Sequence, residues 1–239
     1  RLTVRGALDA ATRTLAAAGL AEPRREAVRL LADLLESSPA ELTLAGDRVL
    51  EPDRRRWIDR AVARRADGEP LPYVTGVAGF RNLVLRSDRR ALIPRPETEG
   101  LVDRALALAP EGVAVDVGTG TGCLALSLAQ EGRYRRVVGI DASPEALELA
   151  DQNRRRLGIS VTLVRGDLLD AMRPDSVDVV GSNPPYLTRA EDLALDPSVL
   201  AHEPRAALES GEDGLDATRR LAAMARVVIR PRGILVVEI

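Results

Sequence analysis

Lysine is missing from the 239 residues: all 34 basic side chains are arginine, set against 36 acidic ones for a net charge of −2. Neither a Schiff-base lysine nor the phosphate-binding lysine of a Walker loop is therefore available. The single cysteine, Cys123, excludes an internal disulfide and any cysteine-rich zinc site, and no cluster of metal ligands stands out. The single histidine, His202, excludes chemistry that needs two imidazoles. Aromatic residues make up 2%, too few for a base-stacking platform, and no global excess of positive charge exists to hold a nucleic acid. No apolar run reaches the roughly 18 residues of a membrane span, and the opening residues lack an export pattern. A cytoplasmic location with no membrane contact is expected.

Hydrophobic residues supply 45% of the chain, an ordinary share for a globular protein. The length suits one large domain or one with a small companion. Residues 1–75 read as a small helical domain. Val28, Leu31 and Leu35 form one helical stripe and Trp57, Ile58, Ala61 and Val62 another, with Pro23, Pro39 and Pro52 near helix starts. Residues 76–94 read as a hairpin linker that turns at Arg81-Asn82. From 95 to 239 helix and strand alternate. Strands are expected near 113–117, 136–141, 160–164, 176–181 and 233–239, and helices near 96–109, 121–131, 143–157 and 214–229. The strands are short apolar runs such as Val177-Asp178-Val179-Val180, as befits strands covered on both faces. The fold class is α/β, a Rossmann-like, parallel-rich sheet behind a helical N-terminal domain. The opening at Arg1 without methionine, and the apolar strand running to Ile239, read as a fragment.

The first strand of the sheet runs into Asp116-Val117-Gly118-Thr119-Gly120-Thr121-Gly122. Glycines there let the chain turn tightly and let a ligand approach without a Cβ in the way. A dinucleotide fingerprint started at Gly118 fails at Cys123; started at Gly120 it reaches Ala125, which its looser form allows. The fuller pattern, Asp-x-Gly-x-Gly-x-Gly, resembles the first motif of class I S-adenosylmethionine-dependent methyltransferases. Asp141 at the next strand tip is placed to accept hydrogen bonds from vicinal ribose hydroxyls, a role shared with NAD enzymes. Asp167 is placed for an adenine amino group and Leu168 for the adenine face. Read blandly, Asp141 is a turn acid and Asp167 a helix cap.

The fourth strand ends in Asn183-Pro184-Pro185-Tyr186. Two prolines fix their own φ and restrict the residues before them, so this is a rigid turn. It presents two acceptor oxygens, from Asn183 and the Pro184 carbonyl, and a flat ring, Tyr186. A planar –NH2 group has two hydrogens for those acceptors. Holding both off the conjugated plane localises the nitrogen lone pair and aims it at a methyl group, by positioning and electrostatics. The combination points to amino-group methylation of adenine, guanine or glutamine, and hydride transfer has no use for it.

Leu92-Ile93-Pro94-Arg95-Pro96-Glu97-Thr98-Glu99 punctuates a helix start. This string, with the glycine loop and tetrapeptide in order behind it, resembles the HemK/PrmC family of release factor glutamine methyltransferases. So do Pro70-Leu71-Pro72-Tyr73 leading to Gly76, Glu203-Pro204-Arg205 with Ala207-Leu208, and Gly211-Glu212-Asp213-Gly214-Leu215. The resemblance covers essentially the whole chain. It implies methyl transfer from S-adenosylmethionine, leaving S-adenosylhomocysteine, to the side-chain amide of the glutamine in the Gly-Gly-Gln motif of peptide chain release factors. By resemblance, Asp116, Gly118 to Gly122, Asp141, Asp167, Leu168 and Asn183 hold the cofactor. Asn183, Pro184 and Tyr186 carry catalysis, and Pro184 to Tyr186 shape the glutamine pocket with Arg95 and Glu97 along its rim. The first domain helps grip the release factor, free or on the ribosome, and the enzyme is expected to be a monomer with no direct nucleic-acid contact. Family members continue past Ile239 with a glycine-rich turn and further strands. An adenine or guanine methyltransferase acting on DNA or RNA is the alternative; it requires a basic groove, whereas the clusters Arg24-Arg25, Arg54-Arg55-Arg56, Arg64-Arg65 and Arg154-Arg155-Arg156 read as solvated faces with acids interleaved.

Overall fold

Proline at a first helical position costs no hydrogen bond, and the N-terminal helices use this repeatedly. A computed structural model describes residues 2–188 and 201–239; Arg1 and residues 189–200, which fall within the expected domains, lie outside the described residues. The chain divides into two compact units with the break between Val77 and Ala78; the second resumes at Glu203–Ile239. The first unit holds α1 (Val4–Ala17), α2 (Pro23–Leu34), α3 (Pro39–Leu44), α4 (Pro52–Ala66) and α5 (Leu71–Thr75). Pro23, Pro39 and Pro52 each open a helix, and Ser38 and Glu41 close a reciprocal capping box on α3. The core is aliphatic: Leu15, Leu30, Leu31, Leu34 and Ile58 are all fully buried. Trp57 departs from its expected stripe. It is 44% exposed, with the Arg54 guanidinium 5.6 Å from its ring centre, while Ile58, Ala61 and Val62 alone face inward.

The second unit begins at Ala78, one residue into the hairpin of β1 (Val77–Phe80) and β2 (Leu83–Arg86), which turns at Arg81, whose φ is +50°. Arg81 is held by both carboxylate oxygens of Glu131, at 2.8 and 2.7 Å, and its N–H donates to Glu99 Oε1 at 2.8 Å. The sheet follows: α6 (Glu99–Leu108), β3 (Glu111–Val117), α7 (Cys123–Glu131), β4 (Arg133–Asp141), α8 (Pro144–Leu157), β5 (Thr162–Arg165), β6 (Val177–Ser182), α9 (Asp216–Val228) and β7 (Ile229–Val237). Its order is β5-β4-β3-β6-β7, and every adjacent pair is parallel. The order reverses direction between β3 and β6, the point where ligands settle in open α/β sheets.

Register decides which residues meet there. Val117 pairs with Ile140 and with Ser182; Asp141 pairs with Arg165, and Ser182 with Val237. All five strands thus end within one residue of one another. The residues next in sequence, Gly118, Ala142, Gly166, Asn183 and Glu238, stand along one rim of the sheet.

Candidate active site

The rim encloses a cavity of about 450 Å³ within the second unit. Asp116, Gly118, Thr119, Gly120, Thr121, Asp141, Asp167, Leu168, Asn183, Pro185 and Arg95 line it. Gly122, Pro184, Tyr186 and Glu97 are not among the lining residues. Gly122 instead caps α7 at φ +84°, and a Cβ there would press on Leu126 and Ala150. Tyr186 stands 41% exposed; burial of the remainder and the nearby carboxylates of Glu238 and Glu97 push its phenol up, against the opposing pull of Arg95.

The loop after β3 is organised from beneath by Asp116. Its Oδ2 accepts from Thr119 Oγ1 at 2.6 Å and from the Ala125 N–H at 3.1 Å. The carboxyl is buried, and burial pushes it up to about 7, partly offset by those two donors. Space for this arrangement comes from glycines in the flanking strands, Gly139 and Gly181, both in register with Asp116. A Cβ on Gly139 would lie 2.8 Å from Thr119 Oγ1, and one on Gly181 2.9 Å from Leu124 Cδ2. A glycine inside an otherwise apolar strand is the sequence signal for such close approach.

Asp141 closes the loop from the side. Its Oδ2 accepts from the Gly120 N–H and its Oδ1 from the Ser143 N–H, both at 2.9 Å. Each oxygen keeps a further acceptor site. Asp167 lines the cavity, and its carboxylate pairs with Arg220 of α9, an arginine lining the same cavity. Leu168 lines the cavity with φ +55°, a conformation that costs a leucine about 1 kcal/mol or more. Cys123 also lines it, its thiol pushed up to about 12 by burial, so it stays a neutral thiol.

Asn183 Nδ2 donates to Thr98 Oγ1 at 3.0 Å. The tetrapeptide is braced from outside: Leu187 pairs with Glu209, its N–H donates to Leu208 O at 3.0 Å, and its carbonyl accepts from the Ser210 N–H at 2.9 Å. Arg95 Nη2 donates to Glu203 Oε1 at 2.8 Å, and Glu203 is buried. This fixes the segment before α6 against the one after the tetrapeptide.

Sequence reasoning missed Thr98, Asn153, Glu238 and Arg220, whose partners are remote in the chain. Asn153 is fully buried on α8. Its Oδ1 accepts from the Arg86 N–H at 2.7 Å, and its Nδ2 donates to Arg86 O at 3.1 Å and Thr121 O at 2.9 Å. One amide thereby ties the hairpin to the glycine loop. The arginine clusters are engaged as expected of salt-bridged faces: Arg24 with Asp9, Arg25 with Glu22, Arg55 with Asp59, Arg56 with Asp53, Arg64 with Glu69, Arg65 with Glu26, and Arg154 and Arg155 with Asp151. Among the described residues no group of metal ligands occurs, and no helix is long and apolar enough to cross a membrane.

A parallel sheet with a glycine loop and an Asn-Pro-Pro-Tyr turn on one rim defines a methyltransferase, and the model of the methyltransferase small domain matches residues 98–224. The model of the PrmC N-terminal domain matches residues 6–76. Release factor glutamine methyltransferases align over nearly the whole of this chain. That of Cereibacter sphaeroides is 42% identical over 98% of this chain and 84% of its own length. Those of Moorella thermoacetica and Geobacter sulfurreducens are 41% and 40% identical, over 100% and 99% of this chain and 86% and 84% of theirs. The chain belongs to the release factor glutamine methyltransferase family. Among solved structures, geranyl diphosphate methyltransferase with S-adenosylmethionine is similar at 19% identity, covering 59% of this chain and 47% of that one with a TM-score of 0.41.

Proposed function

We propose that this chain transfers a methyl group from S-adenosylmethionine to the side-chain amide nitrogen of the glutamine in the Gly-Gly-Gln motif of peptide chain release factors. The observation that carries this reading is the shared cavity: the glycine loop and Asn183 line one space at the switch point of the sheet.

The residues present fit the cofactor. Gly118 and Gly120 hold φ of +72° and +55°, and a Cβ on Gly118 would meet no atom within 4 Å. Such a Cβ would project into open space, so the loop is a cradle that a side chain would fill. Gly118, Thr119, Gly120 and Thr121 hold the cofactor, Asp141 offers its remaining acceptor sites to hydroxyls, and Leu168 supplies an apolar face. Asp116 and Gly122 act from behind, by shaping the loop. S-adenosylmethionine, when bound, supplies an activated methyl group.

The chain's own work is to prepare the amide. Asn183 Oδ1 and the Pro184 carbonyl accept the two amide hydrogens, turning them out of the conjugated plane and exposing the nitrogen lone pair. Pro185 and Tyr186 shape the slot for the glutamine, and Arg95 and Glu97 stand at its rim. The nitrogen loses one proton to solvent as it gains the methyl. Balanced charge and acid-paired arginine clusters favour a protein substrate over DNA or RNA. The enzyme works in the cytoplasm as a monomer, on release factors free or ribosome-bound.

The test is transfer of labelled methyl groups to a purified release factor, its Gly-Gly-Ala variant, and bulk tRNA, rRNA and DNA. Label on the wild-type factor alone, lost by at least about 100-fold with Asn183→Ala, is the expected result. Label on nucleic acid would overturn the reading.

A further inference from the structure

Asn183 does not stand alone at its strand tip. Its Nδ2 donates to Thr98 Oγ1 at 3.0 Å, and Thr98 Oγ1 donates to Glu238 Oε2 at 2.7 Å. The three residues come from the start of α6, the end of β6 and the end of β7, and Thr98 is buried. The register that aligns the strand ends sets the spacing: Ser182 pairs with Val237, and the Glu238 N–H donates to Ser182 O at 3.1 Å. Ser182 Oγ in turn donates to Val117 O at 2.8 Å, locking the tip of β6 to that of β3.

Direction along this chain is fixed by chemistry. A carboxylate only accepts. A threonine hydroxyl has one hydrogen, and here Glu238 takes it. The Thr98 oxygen then has only lone pairs left for Asn183, so it must face the amide's N–H side. An asparagine amide is close to symmetric in shape, and its orientation follows its hydrogen-bond partners. We infer that Thr98 and Glu238 are positioning residues that set the polarity of Asn183, turning its Oδ1 toward the substrate amide. With the amide reversed, Asn183 would present N–H donors to a nitrogen that must be approached by acceptors. This inference rests on the methyl-transfer reading above, and it gives the Thr98 of the Pro-Arg-Pro-Glu-Thr-Glu string a chemical task.

The test uses the full chain with Thr98→Val, Thr98→Ser and Glu238→Gln. Valine keeps the shape and removes the hydroxyl; serine keeps the hydroxyl. A neutral glutamine can donate to Thr98, which frees the threonine hydrogen to point at Asn183 and unfixes the polarity. Thr98→Val is expected to lower kcat on the order of tenfold or more, with the dissociation constant for S-adenosylhomocysteine within about twofold of wild type. Thr98→Ser restores kcat, and Glu238→Gln falls between. A second readout needs neither cofactor nor turnover: the side-chain amide resonances of Asn183 in the nitrogen-15 spectrum. They move in Thr98→Val and return in Thr98→Ser. Three results would each overturn the inference: unchanged Asn183 resonances in Thr98→Val, equal loss in the valine and serine variants, or wild-type kcat in Glu238→Gln. An inactive wild-type chain would count against methyl transfer to release factors, while the resonances would still judge the relay.

Discussion

Gly214 packs its bare Cα against the carbonyl oxygen of Tyr186, so closely that a Cβ there would overlap it. Its φ is +73°, a left-handed conformation. The loop that carries Gly214 thus serves as the outer wall of the tetrapeptide turn, alongside the Leu187–Glu209 bridge. This contact gives the left-handed Gly214, far along the chain, a direct part in holding the Asn-Pro-Pro-Tyr turn.

Gly214→Ala is expected to push the turn off its position. Rate constants should fall about tenfold or more, because small displacements of positioned acceptors are costly in rate. The glycine loop lies elsewhere on the rim, so affinity for S-adenosylhomocysteine should hold. Steady-state methyl transfer and calorimetric titration separate the two.

Gly118→Ala should behave in the opposite way. Nothing lies within 4 Å of the added methyl, so the cost to folding is confined to the left-handed backbone, about 1–2 kcal/mol. The methyl projects into the cradle, and the dissociation constant for S-adenosylhomocysteine should rise at least about tenfold. An unchanged constant in calorimetry would remove Gly118 from the cofactor site.

Asp116 makes stability depend on pH. Its carboxyl, near 3.8 when unperturbed, is pushed up to about 7 in the folded chain by burial. The folded state therefore holds the proton more tightly. The stabilisation from this group is full below about pH 4 and is lost as pH rises through about 7. Asp116→Asn keeps an acceptor for Thr119 and Ala125 and carries no charge. Relative to wild type it should gain a few kcal/mol between pH 4.5 and 8, read as the difference in urea midpoints across that range. A difference that does not vary with pH would contradict the assignment.

Asn153→Ala should destabilise the second unit by about 3 kcal/mol or more. It leaves Thr121 O without its partner in a buried setting, and the Arg86 N–H and O without theirs in a partly buried one. Because Thr121 belongs to the glycine loop, cofactor affinity should fall along with stability. Denaturant unfolding and calorimetry on the same preparation check both.

Much of this protein is written locally. Apolar runs with strand length, proline at helix starts, glycines at turns and an acid at a strand tip depend on near neighbours in sequence, so 113–117, 136–141 and 176–181 are legible as strands and 118–122 as a ligand loop. The Asn-Pro-Pro-Tyr turn is equally local, since proline fixes φ whatever surrounds it. Trp57 misled because a helical stripe two residues wide does not say where burial stops, and a flat ring beside an arginine is stable at the surface.

The tertiary structure decided what those features touch. Strand order and register brought five strand ends within one residue of one another, and neither is encoded within any one strand. Asp167 met Arg220, Arg95 met Glu203, and Asn183 met Thr98 and through it Glu238. These partners are separated by tens of residues or more, and a hydrogen bond needs its two atoms within about 3 Å. Sequence determined the kind of chemistry, because residue type and local backbone set which groups are presented. Only the fold determined their polarity and orientation, because those depend on which distant side chain the packed sheet places beside them.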